Sequence, residues 1–150
     1  MTVNEKNTIS NVKSFLTGDF WHYIQLGGIR PTTLKSANFD AIATNTSNVN
    51  GLEENVINTL DKADRAQYIA ITILLALYDC SDFEYQKRKT ILYSLYIQQL
   101  TQEQTAIKLS FSNYKLRQQL NQGCIEFAER LNYWRIKRNV SELPDLLEEN

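Results

Sequence analysis

The sequence predicts an all-α protein: a helical bundle with a long central helix and a C-terminal helix-turn-helix. Three observations carry this. Apolar residues recur at three-to-four spacing over most of the chain, Thr101 and Ser112 stand where helix caps belong around a short turn, and no Gly or Pro interrupts residues 52–79.

The N-terminal segment, 1–28, opens with the mainly polar residues 1–8, which are expected to be loose. Ile9, Val12, Phe15, Leu16, Phe20, Tyr23 and Ile24 then predict one amphipathic helix from Ile9 to Ile24, ended by Gly27-Gly28. Gly18 within it weakens the helix by about 1 kcal/mol relative to alanine. Trp21-His22-Tyr23 has the composition of a base-stacking platform but fits better as a surface that packs this helix on a neighbour. His22 has no sequence partner that would make it catalytic. Residues 29–50, with Pro31 and many Thr, Ser and Asn, carry no sustained period and read as a linker or arm with a single turn near Leu34–Phe39.

The central segment, 51–80, begins after Asn50, with Glu53 in capping-box position. Val56, Leu60, Ala63, Gln67, Ala70, Leu74 and Leu77 form a four-three seam, and Tyr68, Ile71, Leu75 and Tyr78 form a second stripe. A helix apolar on two sides must be covered on two sides. One cover is expected from the helix-turn-helix; the other comes from the N-terminal helix or from a second subunit. The seam thus predicts a homodimer, with an intrachain core as the alternative.

In the segment 81–139, Ser81 and Glu84 form a capping-box pattern for a helix through Gln99, whose basic start Lys87-Arg88-Lys89 precedes the apolar face Ile91, Leu92, Leu95 and Tyr96. A short helix over 102–109 follows, capped by Thr101 with Gln104 completing the box, and then a helix capped by Ser112. Ala106 and Leu109 face inward, Leu109 and Phe111 fill the space behind the turn, and Leu116 and Leu120 fasten the second helix. That helix continues to about Arg138, roughly 26 residues or near 39 Å. Its first turns expose Asn113, Tyr114, Lys115, Arg117, Gln118 and Asn121, types that contact base edges or phosphates in a major groove. Thr101 and Gln102, at the start of the short helix, are further DNA-contact candidates. An ordinary helical hairpin with a polar outer face is the alternative. The acidic tail, 140–150, is expected to be a short helix or disordered.

The whole chain carries a net charge of −1, but the charge is uneven. Residues 1–84 and 140–150 each sum to −4, whereas residues 85–139 hold ten Lys/Arg against three Asp/Glu, or +7. The basic excess coincides with the helix-turn-helix, as an electrostatic footprint for DNA requires. Its alternative is a solvated basic face. No apolar run approaches the roughly 18 residues of a membrane span, and no signal sequence is legible, so the expected location is cytoplasmic. Cys80 and Cys124, with one histidine, are too few for a zinc site and read as free, partly buried thiols. No Gly-rich phosphate loop or nucleophile-base arrangement points to an enzyme, and no cofactor is expected.

The run Arg88-Lys89-Thr90-Ile91-Leu92-Tyr93-Ser94-Leu95-Tyr96, then Leu100-Thr101 and the turn to Ser112, resembles region 4 of bacterial sigma factors. Together with Leu34-Lys35-Ser36-Ala37-Asn38-Phe39-Asp40 and Phe127-Ala128-Glu129, it looks like the ArpU family of phage and prophage transcriptional regulators. The resemblance covers about residues 33–134. It departs from the family pattern at Thr105, Ser110 and Gly123, where an apolar residue, a glycine and an alanine are usual, and in lacking a proline after Phe39-Asp40. It implies an activator of phage or mobile-element genes, with double-stranded DNA at a promoter or operator as partner and RNA polymerase as a further one. Two other functions fit the same features: a terminase small subunit recognising packaging-site DNA, and an anti-sigma-like helical protein that binds no DNA.

Overall fold

The first helix is set by Asn4, whose Oδ1 accepts the backbone N–H of Asn7 at 3.1 Å. In the computed structural model, which describes residues 2–35 and 59–150, α1 spans Glu5–Thr17 and a separate α2 spans Asp19–Leu26. The expected single helix from Ile9 to Ile24 is therefore broken at Gly18. Glycine is the poorest helix former after proline, and here its N–H turns to Phe15 O at 3.3 Å while its carbonyl accepts His22 N–H at 3.2 Å. Val12, Phe15, Leu16, Phe20 and Ile24 are still all buried, so the apolar pattern survives the break. Trp21 and Tyr23 pack against the core, and His22 is exposed.

A Schellman motif ends α2: Gly28 takes φ 72°, its N–H meets Gln25 O at 3.1 Å, and Ile29 N–H meets Ile24 O at 3.1 Å. Pro31 opens the short α3 (Pro31–Lys35), which buries Leu34. The rest of the expected linker, the Asn50/Glu53 helix start and the seam residue Val56 lie outside the described residues.

The central helix α4 (Thr59–Tyr78) is buried almost all round between Ala66 and Leu77. It packs mainly on α7 (Asn113–Lys137) and α2. A Cβ at Gly27 would lie 2.8 Å from Gln67 N, so the end of α2 sits directly on the α4 backbone. The chain's own helices thus cover Ala70, Leu74 and Leu77 of the expected seam, while its Ala63 and Gln67 are half-buried.

The Ser81/Glu84 box does not form. Ser81 donates from both N and Oγ to the Glu126 carboxylate, at 3.1 and 2.8 Å. Asp82 Oδ1 accepts from Thr90 N and Oγ1 at 3.2 and 2.8 Å. With these groups committed elsewhere, the chain turns over residues 84–86 and α5 (Arg88–Leu92) begins only after Lys87, in the left-handed region at φ 50°, ψ 34°. It runs into a π-helical turn, Tyr93–Ile97, before α6 (Gln102–Leu109). Helix α7 passes Gly123 without a break. A Cβ there would stand 3.4 Å from Arg88 Cβ, so the glycine marks a close contact with α5.

Neither terminus is loose. After α7, Val140, Leu143 and Leu146 turn inward, and the acidic tail is an extended strap on the N-terminal segment rather than a helix. Asn4 N–H meets Glu148 O at 2.6 Å, Asn150 N–H meets Thr2 O at 3.0 Å, and Glu148 N–H meets Thr8 Oγ1 at 3.0 Å. Satisfying these backbone groups in pairs holds both ends in place. Among the described residues, an isolated bridge between Val3 and Glu149 is the only strand-like pairing, and no helix is long and apolar enough to cross a membrane.

Candidate nucleic-acid interface

The local chemistry of α6 and α7 follows the expected caps. Thr101 Oγ1 accepts Gln104 N–H at 3.0 Å while Gln104 Oε1 accepts Thr101 N–H at 2.9 Å. Helix α6 ends at Ser110 in the left-handed region, φ 58° and ψ 37°. Its N–H meets Ile107 O at 3.1 Å and Phe111 N–H meets Ala106 O at 2.9 Å, the paired bonds of a Schellman turn. Ser112 Oγ then accepts Lys115 N–H at 3.0 Å and opens α7.

Packing holds this pair of helices to the body. Ala106, Leu116 and Leu120 are buried, with Leu109 and Phe111 packed beside them. Thr105 is buried too, which the sequence reading did not include; its hydroxyl is satisfied by Thr101 O at 2.9 Å. Lys108 Nζ reaches back to Ser94 Oγ and Gln98 Oε1, at 3.1 and 3.2 Å, tying α6 to the π-helical turn.

Outward, α7 presents Asn113, Tyr114, Arg117 and Gln118 as exposed side chains, with Lys115 and Asn121 half-buried. Tyr114, Arg117, Gln118 and Asn121 line one shallow groove. Lys115 turns aside and lies over the Phe111 ring, 4.3 Å from its centroid. Thr101 and Gln102 are exposed on the other helix, where the Thr101 hydroxyl is already occupied by the cap. Beyond the expected set, α6 exposes Ile107 at 72%. Three-to-four spacing alone cannot flag Ile107, since it assigns apolar residues inward.

The basic excess of residues 85–139 does not form one free patch. Arg88 pairs with Glu126 at 3.3 Å and Arg130 with Asp79 at 3.9 Å. Arg138 donates to Thr72 Oγ1 at 2.8 Å and stacks on the Tyr68 ring at 3.9 Å, and burial lowers its pKa. Arg135 bonds Asn132, Lys137 lies over Tyr133 and Trp134, and Lys89 lies over Tyr78. Lys87 and Arg117 alone in this segment make no such contact among the described residues. Distance spreads the charge further, because Arg135 is about 27 Å along α7 from Arg117. What the arrangement offers chemically is a rigid helix end with one uncommitted guanidinium, two amides and a phenol on a shared face.

No family model, curated protein or solved structure matched this chain when it was compared with each.

Proposed function

We propose that this chain is a sequence-specific DNA-binding transcriptional regulator that inserts the first two turns of α7 into the major groove of duplex DNA. The observation that carries the reading is the division of labour on α7. Leu116 and Leu120 lock the helix to the core, while Arg117, unpaired among the described residues, shares an open groove with Tyr114, Gln118 and Asn121. A guanidinium held in this way suits bidentate contact with guanine O6 and N7, and the amides suit adenine. Asn113 and Gln102 are further candidates for phosphates or flanking base edges; Lys115 would have to leave the Phe111 ring to join them, and Thr101 would contact DNA beside its occupied cap hydroxyl. The resemblance to ArpU-type phage and prophage regulators supports activation of mobile-element genes through RNA polymerase. A homodimer on a palindromic site belongs to this reading, though Ala70, Leu74 and Leu77 of the α4 seam are already covered within the chain.

Selection of preferred duplexes from a random pool, followed by titration at two salt concentrations, tests the proposal. Binding must weaken as salt rises, because neutralised phosphates release counterions. Arg117→Ala is expected to keep the wild-type melting temperature while losing about 1–3 kcal/mol of discrimination at one base position. Leu116→Ala is expected to lose about 2–5 kcal/mol of stability instead. Unchanged affinity and unchanged site preference in Arg117→Ala would remove α7 from the groove.

A further inference from the structure

Lys87 shares with Arg117 the property of being uncommitted among the described residues, and its place in the fold is specific. The residue after it, Arg88, lies across α7: its Nε donates to Gln119 Oε1 at 3.1 Å, its Nη1 to Glu126 Oε1 at 3.3 Å, and its Cβ abuts Gly123. The loop before it is clamped by Ser81 on Glu126 and by Thr90 on Asp82. Lys87 is therefore held one residue from the flank of α7. On a helix each residue advances by about 100°, which puts Lys115, Gln118 and Gln122 on the side of the exposed face nearest to Gln119 and Glu126. Lys87, half-buried, directly precedes the residue that contacts α7 next to that side.

Its backbone adds a second observation. Lys87 is a non-glycine residue at φ 50°, ψ 34°, a left-handed conformation that is strained for an L-residue. Its two basic neighbours are both engaged, Arg88 with Glu126 and Lys89 with the Tyr78 ring. An ammonium with no side-chain partner among the described residues, on a strained loop next to α7, suits a backbone contact.

We infer that Lys87 is a second DNA anchor, contacting a backbone phosphate that flanks the major groove occupied by α7. This rests on the DNA-binding reading of α7 and adds an element to it. The contact is to phosphate rather than to a base, because the residue lies beside the exposed face and not on it. Its role is positional: Asp82 and the exposed Glu84 in the same loop more than offset its charge, so the loop brings one placed ammonium rather than net positive charge.

The test is the salt dependence of duplex affinity for wild type, Lys87→Gln, Lys87→Arg and Lys87→Gly, each on a selected site and on an unrelated duplex. Loss of one phosphate contact should make the slope of log affinity against log salt shallower by about 0.9. That is about an eightfold difference accumulated per tenfold change in salt. The Gln and Gly variants should show it equally on both duplexes with site preference intact, and Lys87→Arg should retain the wild-type slope. Lys87→Gly separates the anchor from folding, since glycine relieves the left-handed strain while removing the charge. A wild-type slope in both the Gln and Gly variants overturns the anchor and leaves α7 in place. Absence of duplex binding by the wild-type chain overturns both.

Discussion

Replacing Glu126 with alanine should unfasten the loop over residues 81–88 from α7, and the cost can be worked from its contacts. The carboxylate accepts Ser81 N–H at 3.1 Å and Ser81 Oγ–H at 2.8 Å, and pairs with Arg88 Nη1 at 3.3 Å. The Arg88 and Glu126 side chains are 20% and 15% exposed. Hydrogen bonds to a charged group contribute about 1.5–3 kcal/mol, and removing one partner of a fully buried pair costs about 3–5 kcal/mol. The upper figure does not apply in full. Arg88 keeps Gln119 at 3.1 Å, and the half-buried Ser81 can be rehydrated. The expected loss is about 2–4 kcal/mol, a fall in melting temperature of roughly 4–16 °C for a domain of this size. Urea unfolding followed by circular dichroism measures it, with an unchanged denaturant slope showing that stability rather than compactness has moved. Arg88→Met should cost less, because Glu126 keeps both Ser81 donors, and the double variant should show coupling of roughly 0.5–3 kcal/mol. A Glu126→Ala loss under about 0.5 kcal/mol, the range of ordinary surface substitutions, would refute the claim that this carboxylate holds the loop.

Ser110→Gly should stabilise the chain by about 0.5–1 kcal/mol, since relief of the left-handed strain exceeds the added freedom of the unfolded chain; destabilisation in a denaturant titration would contradict the turn geometry. Glu142 has its pKa lowered, first by its hydrogen bond to Arg65, so its contribution is present above the unfolded carboxyl value of about 4.3 and is lost as pH falls through the lower folded value. With the pair 43% and 38% exposed, that contribution is no more than about 1 kcal/mol, and Glu142→Gln should remove this part of the acid decline in unfolding free energy; an unaltered decline would discount the pair. Burial pushes the Cys124 thiol up to about 12 and raises Cys80 as well, so neither should react with a thiol reagent at about pH 8 until the chain is unfolded. Stoichiometric labelling of the native protein would show that the core opens there.

The caps at Thr101 and Ser112 are legible in the sequence because a cap closes within three residues, and nothing distant competes for those groups. The same logic reveals the inward Leu116 and Leu120 and the outward Arg117, since helical period separates neighbours onto different faces. Ser81 and Glu84 carry an equally good local pattern, yet Ser81 bonds a carboxylate 45 residues away, and the helix starts later. Charge shows the same divide. The +7 of residues 85–139 can be counted from the sequence, but only packing decides that Arg88 and Arg138 are spent inside the fold while Arg117 and Lys87 have no side-chain partner among the described residues. The α4 seam can be read as apolar on two sides, but which surface covers it depends on where α2 and α7 fold back. The tail looks loose by composition because its acids dominate, whereas Val140, Leu143 and Leu146 between them find the core. Bonds that close within a turn of chain are written in the sequence. Those whose partners lie tens of residues apart exist only once burial has brought the partners together, and that is where the loop, the tail and the pairing of the cations around the candidate interface were decided.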